Sequence, residues 1–201
     1  NKKRHWNKLR QLFFFSNNKN KTIEIGKIFN KFNLKLITLS DLGINDEPEE
    51  NGKTFEENAK IKSDYGFNIT GIPCFADDSG ICIESLNWKP GVHSKRFLNN
   101  FKSSEDCFRS IIQSTKKKGK QNAYFKTSVS LTIKNDQNIL FNGKIDGKIS
   151  NQIKGKFGFG YDPIFIPTNY TRTLAELSTK KKNEISHRSI AVKKLINFLS
   201  N

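Results

Sequence analysis

The chain has 201 residues, 35% of them apolar and 17 of them Phe, with a formal net charge of +16. That length suits one globular domain with a substantial core, and no window nears the roughly 20 consecutive apolar residues of a membrane-spanning helix. The charge raises nucleic acid as a partner, but the lysines are dispersed, clustering only at 116–118 and 180–182, and no zinc-finger, basic-zipper or RNA-recognition pattern is present.

Residues 1–11 form a basic lead-in, and the apolar run that follows, Leu12 to Phe15, is too short for the core of a signal peptide, so a cytoplasmic protein with a single domain over 12–201 is expected. Residues 12–16 read as a buried strand. Residues 20–32 read as a helix with Ile25, Ile28, Phe29 and Phe32 on one face. A second strand follows at 34–39, then an acidic loop at 45–52. Thr54, with Glu57 three residues on, marks a capping box opening a helix to about residue 65. Strand signals occur at 72–76 and 81–86, then a loop with Pro90-Gly91 and a helix at 104–115. Two alternating stretches, 123–134 and 138–149, read as an antiparallel pair joined at Asn135-Asp136-Gln137. A Gly-rich run at 155–167, a short helical stretch near Leu174 and a helix over 186–199 close the chain. This order implies an α/β sheet with helices on both faces.

Cys74, Cys82 and Cys107 form no Cys-x-x-Cys pair and lie beside no histidine. They read as reduced, buried hydrophobes.

Between the two central strand signals stands Ala76-Asp77-Asp78-Ser79-Gly80. A buried, unpaired carboxylate costs several kcal/mol, so two in tandem call for a metal, protons or cationic partners unless the segment is only a polar turn. Glu50, on the acidic loop, is a third acid that could meet them, and Mg2+ favours one or two carboxylates plus phosphate oxygens. Ser16-Asn17-Asn18-Lys19-Asn20-Lys21 lies between a strand end and a helix start, where backbone N–H groups and the helix dipole favour an anion such as triphosphate. Gly52-Lys53-Thr54 is not the tail of a Walker loop, because Glu47 occupies the first-glycine position. Lys62 projects from a partly apolar helical stripe, either as a snorkelling surface lysine or as a cation aimed into a site. Phe159, Gly160, Tyr161 and Asp162 combine aromatic rings, flexible backbone and a carboxylate, as a purine pocket would. Ser186-His187-Arg188 places two basic residues in a first helical turn, against the dipole, which makes sense if an anion or electron-rich group docks there.

Together these motifs, with Glu50 to Ala59, Pro90 to Phe97 and Ala175-Glu176-Leu177, resemble in content and order those of the inosine triphosphate pyrophosphatase family. The resemblance spans about 12–199. It implies a mixed twisted sheet with helices on both faces and two lobes around a nucleotide cleft, assembled as a homodimer. It also implies Mg2+-dependent hydrolysis of dITP, ITP or XTP to the monophosphate and pyrophosphate. Carried over by position, Asp78 is the general base and a metal contact, with Glu50 and Asp77 the other acidic members. Lys21 and Lys62 neutralise phosphate charge; Ser16, Asn17, Asn18, Lys19, Asn20 and Ser79 bind the triphosphate. Phe159, Gly160, Tyr161, Asp162, Lys182, His187 and Arg188 form the base pocket, with Lys182, His187 and Arg188 as donors to the purine 6-oxo edge. The chain departs from the family pattern where Ser16, Asn17 and Asn20 stand in a usually glycine-containing phosphate loop, at Phe157, at Asn87-Trp88-Lys89 and at Lys95. The alternatives are a pyrophosphatase for other modified nucleotides and a basic nucleic-acid-binding protein; no membrane and no specific nucleic acid is expected as a partner.

Overall fold

Leu12, Phe13 and Phe14 of the first strand, and Phe15 just after it, are all buried, because that strand is covered on both faces. The computed structural model describes residues 11–135 and 137–200. Of the basic lead-in only Gln11 falls among them, and Asp136 of the expected turn lies outside. In chain order the elements are β1 (Gln11–Phe14), α1 (Lys19–Lys31), β2 (Lys35–Ile37), α2 (Leu39–Leu42), α3 (Phe55–Thr70), β3 (Cys74–Ile83), β4 (Lys89–Pro90), α4 (Ser94–Asn99) and α5 (Ser104–Lys118). The rest are β5 (Asn122–Lys134), β6 (Gln137–Ile149), β7 (Phe165–Pro167), α6 (Thr179–Ile185) and α7 (His187–Ser200). The strands hydrogen-bond in the order β2-β1-β3-β5-β6-β7, with β4 beside β3. Pairing is parallel for β1 with β2 and β3, and antiparallel for β4 with β3 and β7 with β6. This is the mixed α/β sheet expected from the sequence.

Two compact units divide the chain. The first holds the described residues up to Asp78, Thr127–Gly143, and those from Arg188 onward. Here strand alternation sorts the side chains. Leu12, Phe14 and Phe75 pack with Ile25 and Phe29 of α1 and with Val192 and Leu195 of α7, while Phe13, Phe15, Cys74 and Ala76 face the opposite way toward Tyr65. Gly66 allows α3 to close on that second face: a Cβ there would sit 2.5 Å from Cys74 Sγ and 2.8 Å from the Phe15 ring. Helices therefore cover both faces. A buried polar layer also fixes α3, with Ser63 Oγ 2.8 Å from Ser130 Oγ and Thr132 Oγ1 donating to Asp64 at 2.8 Å.

The second unit is Ser79–Lys126 with Lys144–His187. Its core gathers Ile81, Ile83, Phe108, Ile111, Phe125, Ile149, Phe165 and Leu174.

The main departure from the sequence reading lies at the centre. The expected strands 72–76 and 81–86 are one ten-residue strand, β3, and Ala76 to Gly80 sits inside it. Both aspartates are buried in strand conformation, because partners on both sides of the strand compensate their charge. Gly80 serves packing here: a Cβ would fall 2.2 Å from Gly91 O and 2.5 Å from Ser94 Oγ. The cap of α3 differs in detail too. Thr54 Oγ1 accepts from Glu57 N–H at 3.1 Å, but the Glu57 carboxylate accepts from Lys53 N–H at 2.6 Å, one residue short of a full capping box. The helices α2, α4 and α6, each seven residues or fewer, carry too few turns to show a periodicity.

Candidate active site

Successive strand residues point to opposite faces, so Asp77 and Asp78 reach different helices. Asp77 faces α1 and α7. Lys21 Nζ donates to Asp77 Oδ1 at 3.1 Å, and Arg188 Nε donates to Asp77 Oδ2 at 3.2 Å. Arg188 Nη1 goes on to Glu24 Oε2 at 2.5 Å. Asp78 faces α3, where Asn58 Nδ2 donates to Asp78 Oδ2 at 3.0 Å. Asn58 Oδ1 in turn accepts from Gly52 N–H at 2.8 Å, which ties down the end of the acidic loop, and Lys62 Nζ lies 3.1 Å from Glu50 Oε2.

Local sequence explains these placements. Asn18 is the N-cap of α1, its Oδ1 accepting from Lys21 N–H at 3.2 Å, and the Asn18 N–H donates to Ser16 Oγ at 3.2 Å. The cap sets Lys21 in the first turn of α1, pointed at β3. Asn17, Lys19 and Asn20 are exposed. Lys62 is buried with Phe55, Asn58 and Ala59 on one face of α3, so the snorkelling alternative gives way to a cation held within the unit.

The electrostatics follow from burial and pairing. Burial alone would push the Asp77 carboxyl up, but Lys21, Arg188 and Lys62 outweigh it and hold that carboxyl well below the usual carboxylate range. Asp78 goes the other way: burial raises it, Glu50 adds to the rise, and Lys62, Lys21 and Asn58 only partly offset them. Burial lowers Lys21, assisted by Lys62 and Arg188, despite the attraction of Asp77. Lys62 is raised: burial opposes its charge, yet Glu50, Asp77 and Asp78 together prevail. Arg188 is likewise raised against burial by Glu24 and Asp77.

Glu24, Glu50, Asp77 and Asp78 thus meet the three cations Lys21, Lys62 and Arg188. Among the described residues no three His, Cys, Asp or Glu side chains converge on a single point, so Glu50, Asp77 and Asp78 are not one cluster. Both oxygens of Asp77 are engaged by Lys21 and Arg188. Glu50 and Asp78, both acting on Lys62, are the acids whose oxygen chemistry fits a hard divalent cation, and a carboxyl raised by burial is one that an added cation would relieve.

The second unit holds the remaining expected residues. Gly158 has φ 78°, and a Cβ there would lie 2.0 Å from Asp162 Oδ2, so only glycine lets the loop fold over that carboxylate. Asp162 Oδ2 accepts from Phe159 N–H at 2.9 Å and from Lys182 Nζ at 2.5 Å. The same ammonium stands 4.6 Å from the Phe159 ring centroid, within cation–π range. Gly160, with φ 64°, is exposed. Tyr161 is buried and its hydroxyl donates to Ser94 O at 2.6 Å, so its ring belongs to the core. His187 stacks on Phe125 with centroids 4.7 Å apart and planes at 8°. Ser79 is half-buried.

Two side chains of this arrangement were given no role by the sequence reading. Glu24 was hidden because a helical Glu is normally solvated; its signal is its place beside Ile25 on the apolar face of α1. Asn58 carried the same signal on α3, as an amide within an otherwise apolar stripe.

The model of the Ham1 family matches residues 12–198. A dITP/XTP pyrophosphatase of Christiangramia forsetii is 41% identical over 190 residues, covering 94% of this chain and 99% of the relative. A dITP/XTP pyrophosphatase of Flavobacterium psychrophilum is also 41% identical, over 95% of this chain and 100% of the relative. The solved structure of a HAM1 protein from Coxiella burnetii superposes with a TM-score of 0.83 at 32% identity, covering 94% of this chain and 98% of that one. With the match running from β1 to the last turn of α7, the chain belongs to the Ham1 family.

Proposed function

We propose that this chain hydrolyses dITP, ITP and XTP to the monophosphate and pyrophosphate, removing deaminated purine nucleotides from the cellular pool. The observation that carries the reading is the set of half-buried Lys21 and buried Lys62 and Arg188 around Asp77 and Asp78, and the relatives named dITP/XTP pyrophosphatase support the substrate class. A surface built only for nucleic acid would have no use for carboxylates paired with each of these cations, since they repel phosphate.

In this reading Lys21 and Lys62 meet the charge of the phosphates, and Ser16 and Ser79 donate hydrogen bonds to them. Asp78 accepts the proton of the attacking water. Asp77 keeps Lys21 and Arg188 in position. Glu50 and Asp78 are the residues that would hold Mg2+, which would supply charge neutralisation at the phosphates and lower the pKa of a nearby water. Phe159 stacks on the base while Lys182 and His187 read its 6-oxo edge; an unmet polar partner then discriminates against adenine. The active assembly is a homodimer working in the cytoplasm.

A nucleotide panel with Mg2+ tests the proposal. Pyrophosphate release from dITP, ITP or XTP is expected to be far faster than from ATP or GTP. Equal rates on ATP, or orthophosphate as the first product, would overturn it.

A further inference from the structure

In the second unit, Ala123 and Phe125 of β5 and Ile145 and Ile149 of β6 face the core. Alternation therefore turns Tyr124, Lys126, Lys144, Asp146 and Lys148 to the other face, where Lys144, Asp146 and Lys148 are exposed. Lys144 Nζ stands 4.4 Å over the Tyr124 ring and 2.8 Å from Asp146. Against this face lies Trp88, 46% exposed, its ring 5.6 Å from that of Tyr124 and tilted by 31°.

The backbone under Trp88 is unusual. Asn87 and Trp88 are consecutive non-glycine residues in the left-handed region, at φ 54° and 62°. The other non-glycine residues with positive φ among those described are Asn33 and Asn169, and asparagine tolerates the region where a bulky ring does not. The turn is held by Trp88 N–H donating to Ile83 O at 2.8 Å. Strain of this kind gathers where a side chain is held out for a ligand.

We infer that the Trp88–Tyr124 face with its lysines is a docking surface for single-stranded nucleic acid, read without sequence preference. The exposed Trp88 ring, seated beside the half-buried Tyr124 ring, offers stacking to any base, and Lys126, Lys144 and Lys148 against Asp146 offer charge to a phosphate backbone. The same charge disfavours a second copy of the chain, because a two-fold contact would set these lysines against themselves. The surface shares no residue with the hydrolytic site.

The chain has two tryptophans, Trp6 and Trp88, so Trp88 is the single reporter in a Trp6→Phe protein. Titrated with a twenty-residue oligo-dT, its fluorescence should be quenched. The affinity should fall with salt at a log–log slope of about −2, as expected for roughly three single-strand phosphates. Trp88→Ala, and separately Lys144→Glu with Lys148→Glu, should weaken binding about tenfold while leaving dITP turnover unchanged. No quenching, or equal binding by the variants, would overturn the inference in favour of diffuse surface charge. Quenching by dTMP at the same concentration as by the oligomer would make this a mononucleotide site. Equal quenching by polyglutamate would make it an acidic-protein surface, and a Trp88→Ala protein of smaller oligomeric state would make it a subunit interface.

Discussion

Arg188 Nε donates to Asp77 Oδ2 at 3.2 Å across a sequence separation of 111 residues. Arg188 sits in the first turn of α7, the end of a helix that disfavours cations. Asp77 and Glu24 supply the compensating anions from β3 and α1, so the guanidinium ties the last helix to the first and to the central strand. The oddity that suggested a docking anion in the sequence is met by the protein's own carboxylates.

Asp77→Asn should therefore destabilise the fold by about 3–5 kcal/mol at neutral pH, since it removes one partner from a buried ion pair. The effect should depend on pH. The folded Asp77 carboxyl lies below its unfolded value, so its contribution is complete above the unfolded pKa near ~3.9 and is lost as pH falls through the lower, folded one. Urea unfolding of wild type and variant at pH 7 and pH 3 checks this; a gap that does not narrow in acid would show that the charge is not the cause.

Asp78→Asn should reduce turnover of dITP by at least ~100-fold, the usual contribution of a positioned general base, with little change in circular dichroism. The isosteric amide keeps a carbonyl oxygen for Asn58 Nδ2, which bonds the carboxylate at 3.0 Å. Near-normal turnover in a folded variant would reduce Asp78 to a partner of Asn58.

Lys182 bonds Asp162 at 2.5 Å and lies over the Phe159 ring. Lys182→Met should raise KM for ITP and erode the ITP/ATP ratio of kcat/KM, by about tenfold, because the donor proposed for the base edge is lost. Steady-state kinetics on both nucleotides decide it. An unchanged ratio with lowered Tm would leave Lys182 a structural cation for Asp162.

The three thiols should be silent toward a disulfide reagent in the folded protein at pH 8. All three are buried, and burial pushes Cys107 up to about 11 and raises Cys74 and Cys82. The thiolate is the reactive form. Titration before and after denaturation should give none and then three; a fast-reacting thiol in the native protein would contradict the burial.

Most elements were legible in the sequence, because long segments carry a full period of burial. Residues 20–32 show α1 through Ile25, Ile28 and Phe29, and the paired stretches 122–134 and 137–149 alternate with the pleat. Thr54 marked a helix start by cap chemistry that acts within three residues. Residue types also pointed to Glu50, Asp77, Asp78, Lys21 and Lys62, since so many charges beside apolar runs need partners, but not to Glu24. Which charge meets which was not legible. Asp77 and Asp78 are neighbours in sequence, yet strand alternation sends one to Lys21 and Arg188 and the other to Asn58. The bonds of Arg188 to Asp77 and Glu24, and of Tyr161 to Ser94, were likewise not legible. The sequence by itself determined the inventory of elements and charges, because propensity, periodicity and capping are local. The tertiary structure alone decided the pairing, because the Coulombic gain between buried groups depends on a distance of about 3 Å that no spacing along the chain encodes.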